Sequence, residues 1–147
     1  LGEAAQLHRK ALEIRQTLKL EEDTAASFRQ LGMIAQERQR PEEAEQWYRK
    51  ALEIFERTGH PPRTVSTLTS LGLLREQQGH PREAVGWLGR AFNIATGYRM
   101  PLAGEISALL ARLFLTMGEA EFTSAWQQAF PGQEPPLELL RQDSETQ

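Results

Sequence analysis

An all-α array of two-helix repeats is the fold this sequence predicts, on three observations. A 40-residue shift superimposes Glu3-Ala-Ala-Gln-Leu-His-Arg-Lys-Ala-Leu-Glu-Ile14 on Glu43-Ala-Glu-Gln-Trp-Tyr-Arg-Lys-Ala-Leu-Glu-Ile54, with nine of twelve positions identical. Apolar residues recur with helical spacing, as in Ala44, Trp47, Tyr48, Ala51, Leu52 and Phe55. No segment alternates apolar and polar residues over the length of a strand. A fixed period of this length marks a repeat architecture, in which each unit buries its apolar face against a neighbour.

Each element follows from its stripe and its punctuation. Residues 3–18 read as a lone second helix, and residues about 24–39 and 41–57 as the first full repeat. Phe28, Leu31 and Ala35 form the inner stripe of its first helix. The next repeat covers 62–79 and 81–96, with Leu68 and Leu71 on the first helix and Ala84, Trp87, Leu88, Ala91, Phe92 and Ala95 on the second. A degenerate repeat follows over 101–130, where Ser107 replaces the large residue and Ala111 the glycine. Pro41, Pro81 and Pro101 suit first helical positions, where the missing N–H has no partner to lose. Gly59, Gly79, Gly97 and Gly118 suit helix ends that need a positive φ. Leu137, Leu139 and Leu140 then read as a cap over the last helix, within a 131–147 tail. The whole of 1–147 is thus one repeat domain, about seven helices long.

The residues Phe28-x₂-Leu31-Gly32-x₂-Ala35, then Ala44-x₃-Tyr48 and Ala51, resemble the tetratricopeptide (TPR) signature. Leu68-x₂-Leu71-Gly72, Ala84-x₃-Leu88 and Ala91 carry it again. Small Gly32, Gly72, Ala51 and Ala91 let helix backbones approach closely while large residues fill the gaps. The 40-residue period resembles the long-helix variety found in kinesin light chains and in repeat regions of bacterial signalling ATPases. The resemblance covers roughly residues 3–130. It implies a right-handed α-solenoid of helix-turn-helix repeats that binds a peptide or partner protein in its concave groove.

Composition removes other classes of function. Hydrophobic residues make up 39% and charged residues 25%, with a net charge of −3 and no cysteine. That balance is too apolar for a disordered chain and too mixed in sign for a charge-driven nucleic-acid binder. Thiolate zinc sites and disulfides are excluded. No apolar run approaches the roughly 18–20 residues that span a bilayer, and no basic segment followed by an apolar one marks a secretory signal. A cytoplasmic location is expected. Arginine outnumbers lysine 14 to 3, a bias of high-GC bacterial genomes, and the unpaired opening helix suggests a piece of a larger regulatory or effector protein.

Catalysis finds no support. No Walker loop, H-E-x-x-H, G-x-S-x-G or G-x-G-x-x-G occurs. His8 takes the position of Tyr48 and reads as a packing residue. His60 and His80 flank one helix, about 28 Å apart at 1.5 Å per residue, too far to share a metal. No cofactor and no metal are expected. Trp47, Trp87 and Trp126 recur at repeat spacing and read as packing residues. Lys10, Lys50 and Arg90 form an outer ladder interleaved with Glu13 and Glu53, with Lys10–Glu13, Lys50–Glu53 and Glu45–Arg49 at helical pair spacing.

By the resemblance, the groove is lined by the first-helix face opposite the inner stripe. That face holds Ala26, Arg29, Met33, Gln36 and Glu37, then Ser66, Thr69, Leu73, Glu76 and Gln77, then Glu105, Ala108, Arg112 and Leu115. Apolar, amide and both charged types are mixed there, which suits an extended or helical peptide of mixed character. The Lys/Asn/Arg carboxylate clamp of chaperone-binding TPR proteins is not matched. The rival reading is a small-molecule or nucleic-acid sensor using the cap region or the basic ladder. Ala4, Leu7, Ala11, Leu12 and Leu18 lack a covering helix and an uncapped repeat end is sticky, so the chain is expected either to pair two such ends in a homodimer or to leave this helix poorly protected.

Overall fold

A computed structural model describes residues 2–146, and among them seven helices and no strand occur. The helices are α1 (Gly2–Glu37), α2 (Pro41–Thr58), α3 (Pro61–Gln77), α4 (Pro81–Gly97), α5 (Ala103–Met117), α6 (Glu119–Ala129) and α7 (Leu137–Glu145). None is long and apolar enough to cross a membrane. The chain divides into two compact units at the His60–Pro61 junction, taken here in turn.

The first unit corrects the expected start of the array. Residues 3–18 are not a separate helix: they continue without a break into α1, which runs for 36 residues. The reason lies in five positions. Where the next repeat has Gly59-His60-Pro61-Pro62-Arg63, the first has Lys19-Leu20-Glu21-Glu22-Asp23. Glycine followed by two prolines ends one helix and starts another. Lysine, leucine and glutamate propagate it. The C-terminal half of α1 then folds back on α2 through a three-residue turn, and Arg57 reaches Glu21 at 2.7 Å across the far end of this antiparallel pair. Burial there centres on Ala25, Ala51 and Phe55, with Phe28 and Ile54 packed around them. The Phe28 and Trp47 rings stack at 5.5 Å. Gly32 is the point of closest approach, since a Cβ there would stand 2.7 Å from Tyr48 Cε1.

Two packing assignments in this unit need correction. Leu31 does not belong to the buried stripe: it is 40% exposed, whereas Leu71 is fully buried. His8 does not pack as Tyr48 does and lies exposed, because α2 ends before reaching that half of α1.

The second unit begins with the α3–α4 hairpin, where Gly72 meets Leu88 as Gly32 meets Tyr48. Helix α5 and helix α6 both pack on α4. Trp126 is fully buried between Phe122 and Phe130, with ring centroids 6.3 and 4.7 Å away. Gly89 admits this cluster, since a Cβ there would run into the Phe130 and Trp126 rings. The cap differs from expectation: α7 packs on α5, burying Leu140, while Leu139 stays 38% exposed. Ser107 explains the docking. Its small side chain leaves space where other repeats carry Phe28 or Leu68, and its hydroxyl lies 2.6 Å from Asp143 Oδ2.

Helix ends follow the repeat more closely than the residue types do. Gly59 (φ 70°) and Gly79 (φ 79°) take the left-handed conformation, as expected. Gly97 does not, because α4 runs through it. Arg99 (φ 53°), the 40-residue counterpart of Gly59, takes that conformation instead. Likewise Gln39 (φ 58°) stands where the next repeat has Gly79. Pro101 precedes α5 by two residues and is not its first residue.

Candidate partner-binding surface

In the first unit the expected groove residues sit on one face of the last four turns of α1. Met33 is 48% exposed, Glu37 is exposed, and Ala26, Arg29 and Gln36 are half-buried. Behind them stands a residue that sequence reasoning assigned only to packing. The Tyr48 hydroxyl donates to Gln36 Oε1 at 2.7 Å, so α2 supplies part of the floor under this face. Burial pushes the Tyr48 phenol above its ordinary pKa, while the nearby Arg29 guanidinium works in the opposite direction. Arg29 Nε is buried without a hydrogen-bond partner among the described residues. The signal for Tyr48 was Gly32: an absent side chain on one helix marks the place where a ring from the other comes to the surface of the first.

In the second unit, α3 presents Ser66, Thr69, Leu73 and Glu76, half-buried, and Gln77, exposed. Ser66 and Thr69 donate their hydroxyl protons to the Pro62 and Val65 carbonyls one turn back, at 3.1 and 2.8 Å. Helix α5 adds exposed Glu105, Ala108, Arg112 and Leu115. The sequence placed Glu76 and Arg112 on the same first-helix face of successive repeats. The structure joins them: Arg112 grips Glu76 through both Nη2 and Nε, the latter at 3.2 Å. A bidentate pair of this kind fixes both side chains and cancels their charge. The centre of the α3–α5 face is therefore neutral and ordered, with Leu73 and Leu115 (56% exposed) as its apolar contacts.

The outer ladder is built differently. Lys50 Nζ lies 4.9 Å from the centre of the Trp47 ring, and the Arg90 guanidinium lies 5.7 Å from that of Trp87. The Glu45–Arg49 pair forms at 2.9 Å. Two of the three repeating tryptophans thus have a cation from their own helix over the ring, and Trp126 is buried. Stacked bases would have to displace those cations. Arg82 is similarly engaged, donating to Glu121, Ser124 and Gln128, beside a cavity of about 500 Å³ at the α3–α4 turn. A second cavity, of about 470 Å³ and lined by Pro135, Pro136, Leu137, Glu138, Leu139 and Gln142, lies at the cap, where the sequence had suggested a small-molecule pocket. Among the described residues no group of three His, Asp or Glu side chains is placed to hold a metal ion.

Helical hairpins joined at small-residue close approaches define a repeat scaffold. A family model described as tetratricopeptide repeat matches residues 23–97, just over half of the chain. The protein belongs to the tetratricopeptide repeat family, whose members act in general as scaffolds for protein–protein interaction. No curated protein matches the chain.

Proposed function

We propose that the exposed first-helix faces bind a partner polypeptide: Arg29, Met33, Gln36 and Glu37 in the first unit, and Ser66, Thr69, Leu73, Glu76, Gln77, Glu105 and Arg112 in the second. The observation that carries this reading is the Glu76–Arg112 pair. It links two first helices and leaves the centre of their face neutral, edged by Leu73 and Leu115. Such a face suits apolar and amide side chains of a peptide and offers no unpaired cation at its centre to a terminal carboxylate. The chain serves as a non-catalytic module of a regulatory or effector protein acting in the cytoplasm, and the arginine-over-lysine bias supports a bacterial source.

A peptide array probed with the wild-type chain and two variants tests this. Met33→Glu with Leu115→Glu should abolish the wild-type binding pattern, because both side chains are about half exposed and project from the proposed faces. Lys50→Gln on the outer ladder should leave the pattern unchanged. Loss of binding in Lys50→Gln alone would move the site to the outer face.

A further inference from the structure

Several arginines of this chain meet a carboxylate of their own: Arg57 binds Glu21, Arg82 binds Glu121 and Arg112 binds Glu76. Arg29 does not. It is half-buried in the first unit and makes neither a hydrogen bond nor an ion pair among the described residues. Its charge acts on the Tyr48 phenol, which is neutral near pH 7. Half-burial strips away part of the guanidinium's hydration, and a desolvated charge gains most from a counter-ion that arrives with a partner. Nε is enclosed, so an anion approaches the Nη edge, end-on, through two parallel N–H bonds. The second unit shows what is missing. Gln36 is the 40-residue counterpart of Glu76. At position 76 a carboxylate takes an arginine from another first helix. At position 36 an amide accepts the Tyr48 hydroxyl instead. The first unit therefore carries the cation of such a pair without its carboxylate.

We propose that Arg29 receives a side-chain carboxylate of the partner polypeptide, within an extended segment that reads acidic–x–apolar and sets its apolar residue on Met33. This rests on the reading of the first-helix face as the partner surface. Spacing selects the segment. Arg29 and Met33 are four residues apart on α1, about 6 Å along the helix. Alternate side chains of an extended chain point the same way and stand about 6.6 Å apart. The Met33 side chain is 48% exposed and offers the apolar contact. The face also continues beyond Arg29 in both directions, to Ala26 and to Gln36. A chain can thus run past the guanidinium, which favours a side-chain carboxylate over a chain terminus. Charge selects the anion. A carboxylate carries one negative charge and Arg29 one positive. A phosphate carries nearly two, and Glu37, exposed on the same face, repels the surplus.

The test measures fluorescence polarisation of the full chain with acetylated, C-terminally amidated peptide pools. Each pool fixes Asp-x-Leu, Asn-x-Leu, phosphoserine-x-Leu or Lys-x-Leu at its centre, and a fifth ends in a free carboxylate without Asp or Glu. The Asp pool should bind about tenfold or more tighter than the Asn pool, and tighter than the phosphoserine and free-terminus pools. Arg29→Gln should bring the Asp and Asn pools level without lowering the melting temperature, because the guanidinium has no partner within the chain to lose. Arg29→Glu should move the preference to the Lys pool, a reversal that a misfolded chain cannot give. Equal affinity for the Asp and Asn pools in the wild type, no binding by any pool, tighter binding of the phosphoserine or free-terminus pool, or an Asp preference that survives Arg29→Gln would overturn the proposal. The underlying reading fails separately: if Met33→Glu with Leu115→Glu binds every pool as the wild type does, the first-helix faces are not the partner surface and the proposal falls with them. If that variant loses binding while the wild type holds the Asp and Asn pools equally, the surface stands and the carboxylate assignment alone is wrong.

Discussion

Residues 3–14 and residues 43–54 share nine of twelve side chains and end in opposite environments within one folding unit. Ala44 and Ala51 are fully buried, whereas Ala4 is exposed and Ala11 only half-buried. Both segments are helical, so local sequence governs the helix. What differs is the neighbour. The turn at Arg38-Gln39-Arg40 reverses the chain and lays 43–54 on residues 25–35, while Lys19-Leu20-Glu21-Glu22 carries the helix straight on and lays 3–14 on no other helix among the described residues. Burial in a repeat protein is a property of the pair, and a handful of turn residues decides which pairs exist.

The largest expected effect breaks the comparison at identical residues. Ala44→Asp should unfold the first unit, since an unpaired carboxylate in a fully buried site costs several kcal/mol. Ala4→Asp should change stability by less than about 0.5 kcal/mol, because that site is solvated. Chemical denaturation of both variants checks this, and equal losses would mean that residues 3–14 are packed in solution.

Next comes the turn. Replacing Lys19-Leu20-Glu21-Glu22 with the Gly-His-Pro-Pro of residues 59–62 should cut α1 in two, because a proline inside a helix costs about 3 kcal/mol or more. Amide protection over 2–18 should vanish while that over 24–37 persists. A helix that stayed continuous would show that the break elsewhere in the chain has another cause.

Smaller effects are expected at the two left-handed turns. Gln39→Gly and Arg99→Gly should each stabilise by about 0.5–1 kcal/mol, while Gly59→Arg and Gly79→Gln should destabilise by about as much. Thermal melts read both signs.

The smallest effect is in alkali. Tyr48 keeps its proton more firmly when folded, so the stability it contributes is complete below about pH 10. It declines as pH rises from there toward the raised folded value, since the unfolded chain then releases the proton first. Tyr48→Phe should flatten that decline in a pH series of denaturation midpoints.

Much of this molecule was legible because its repeat period fixes both helix and partner. Ala44, Tyr48, Ala51, Leu52 and Phe55, and Ala84, Leu88, Ala91, Phe92 and Ala95, landed in the core, as did Leu68 and Leu71, while Trp47 and Trp87 of the same stripes stay half-buried beneath cations. The break expected after residue 18 does not occur, because the period implies a turn there while Lys19-Leu20-Glu21-Glu22 contains neither glycine nor proline. Leu31 was misassigned for a related reason: its spacing matches Leu71, but spacing does not say whether a neighbouring helix is present. The α7 docking on Ser107 was hidden because a small residue in a degenerate repeat reads as decay until its partner, Asp143, is seen beside it. On the candidate surface each residue could be placed on its face, but the Glu76–Arg112 pair joins residues 36 apart, and no local pattern announces such a contact.

Amide hydrogen exchange on the intact chain tests the central contrast most directly. Residues 41–58 should exchange slowly, near the global unfolding limit of the first unit, and residues 2–18 orders of magnitude faster, as an unsupported helix end does. Equal protection of the two segments at low protein concentration would contradict the account, because near-identical sequences would then share a partner that the fold gives only to one.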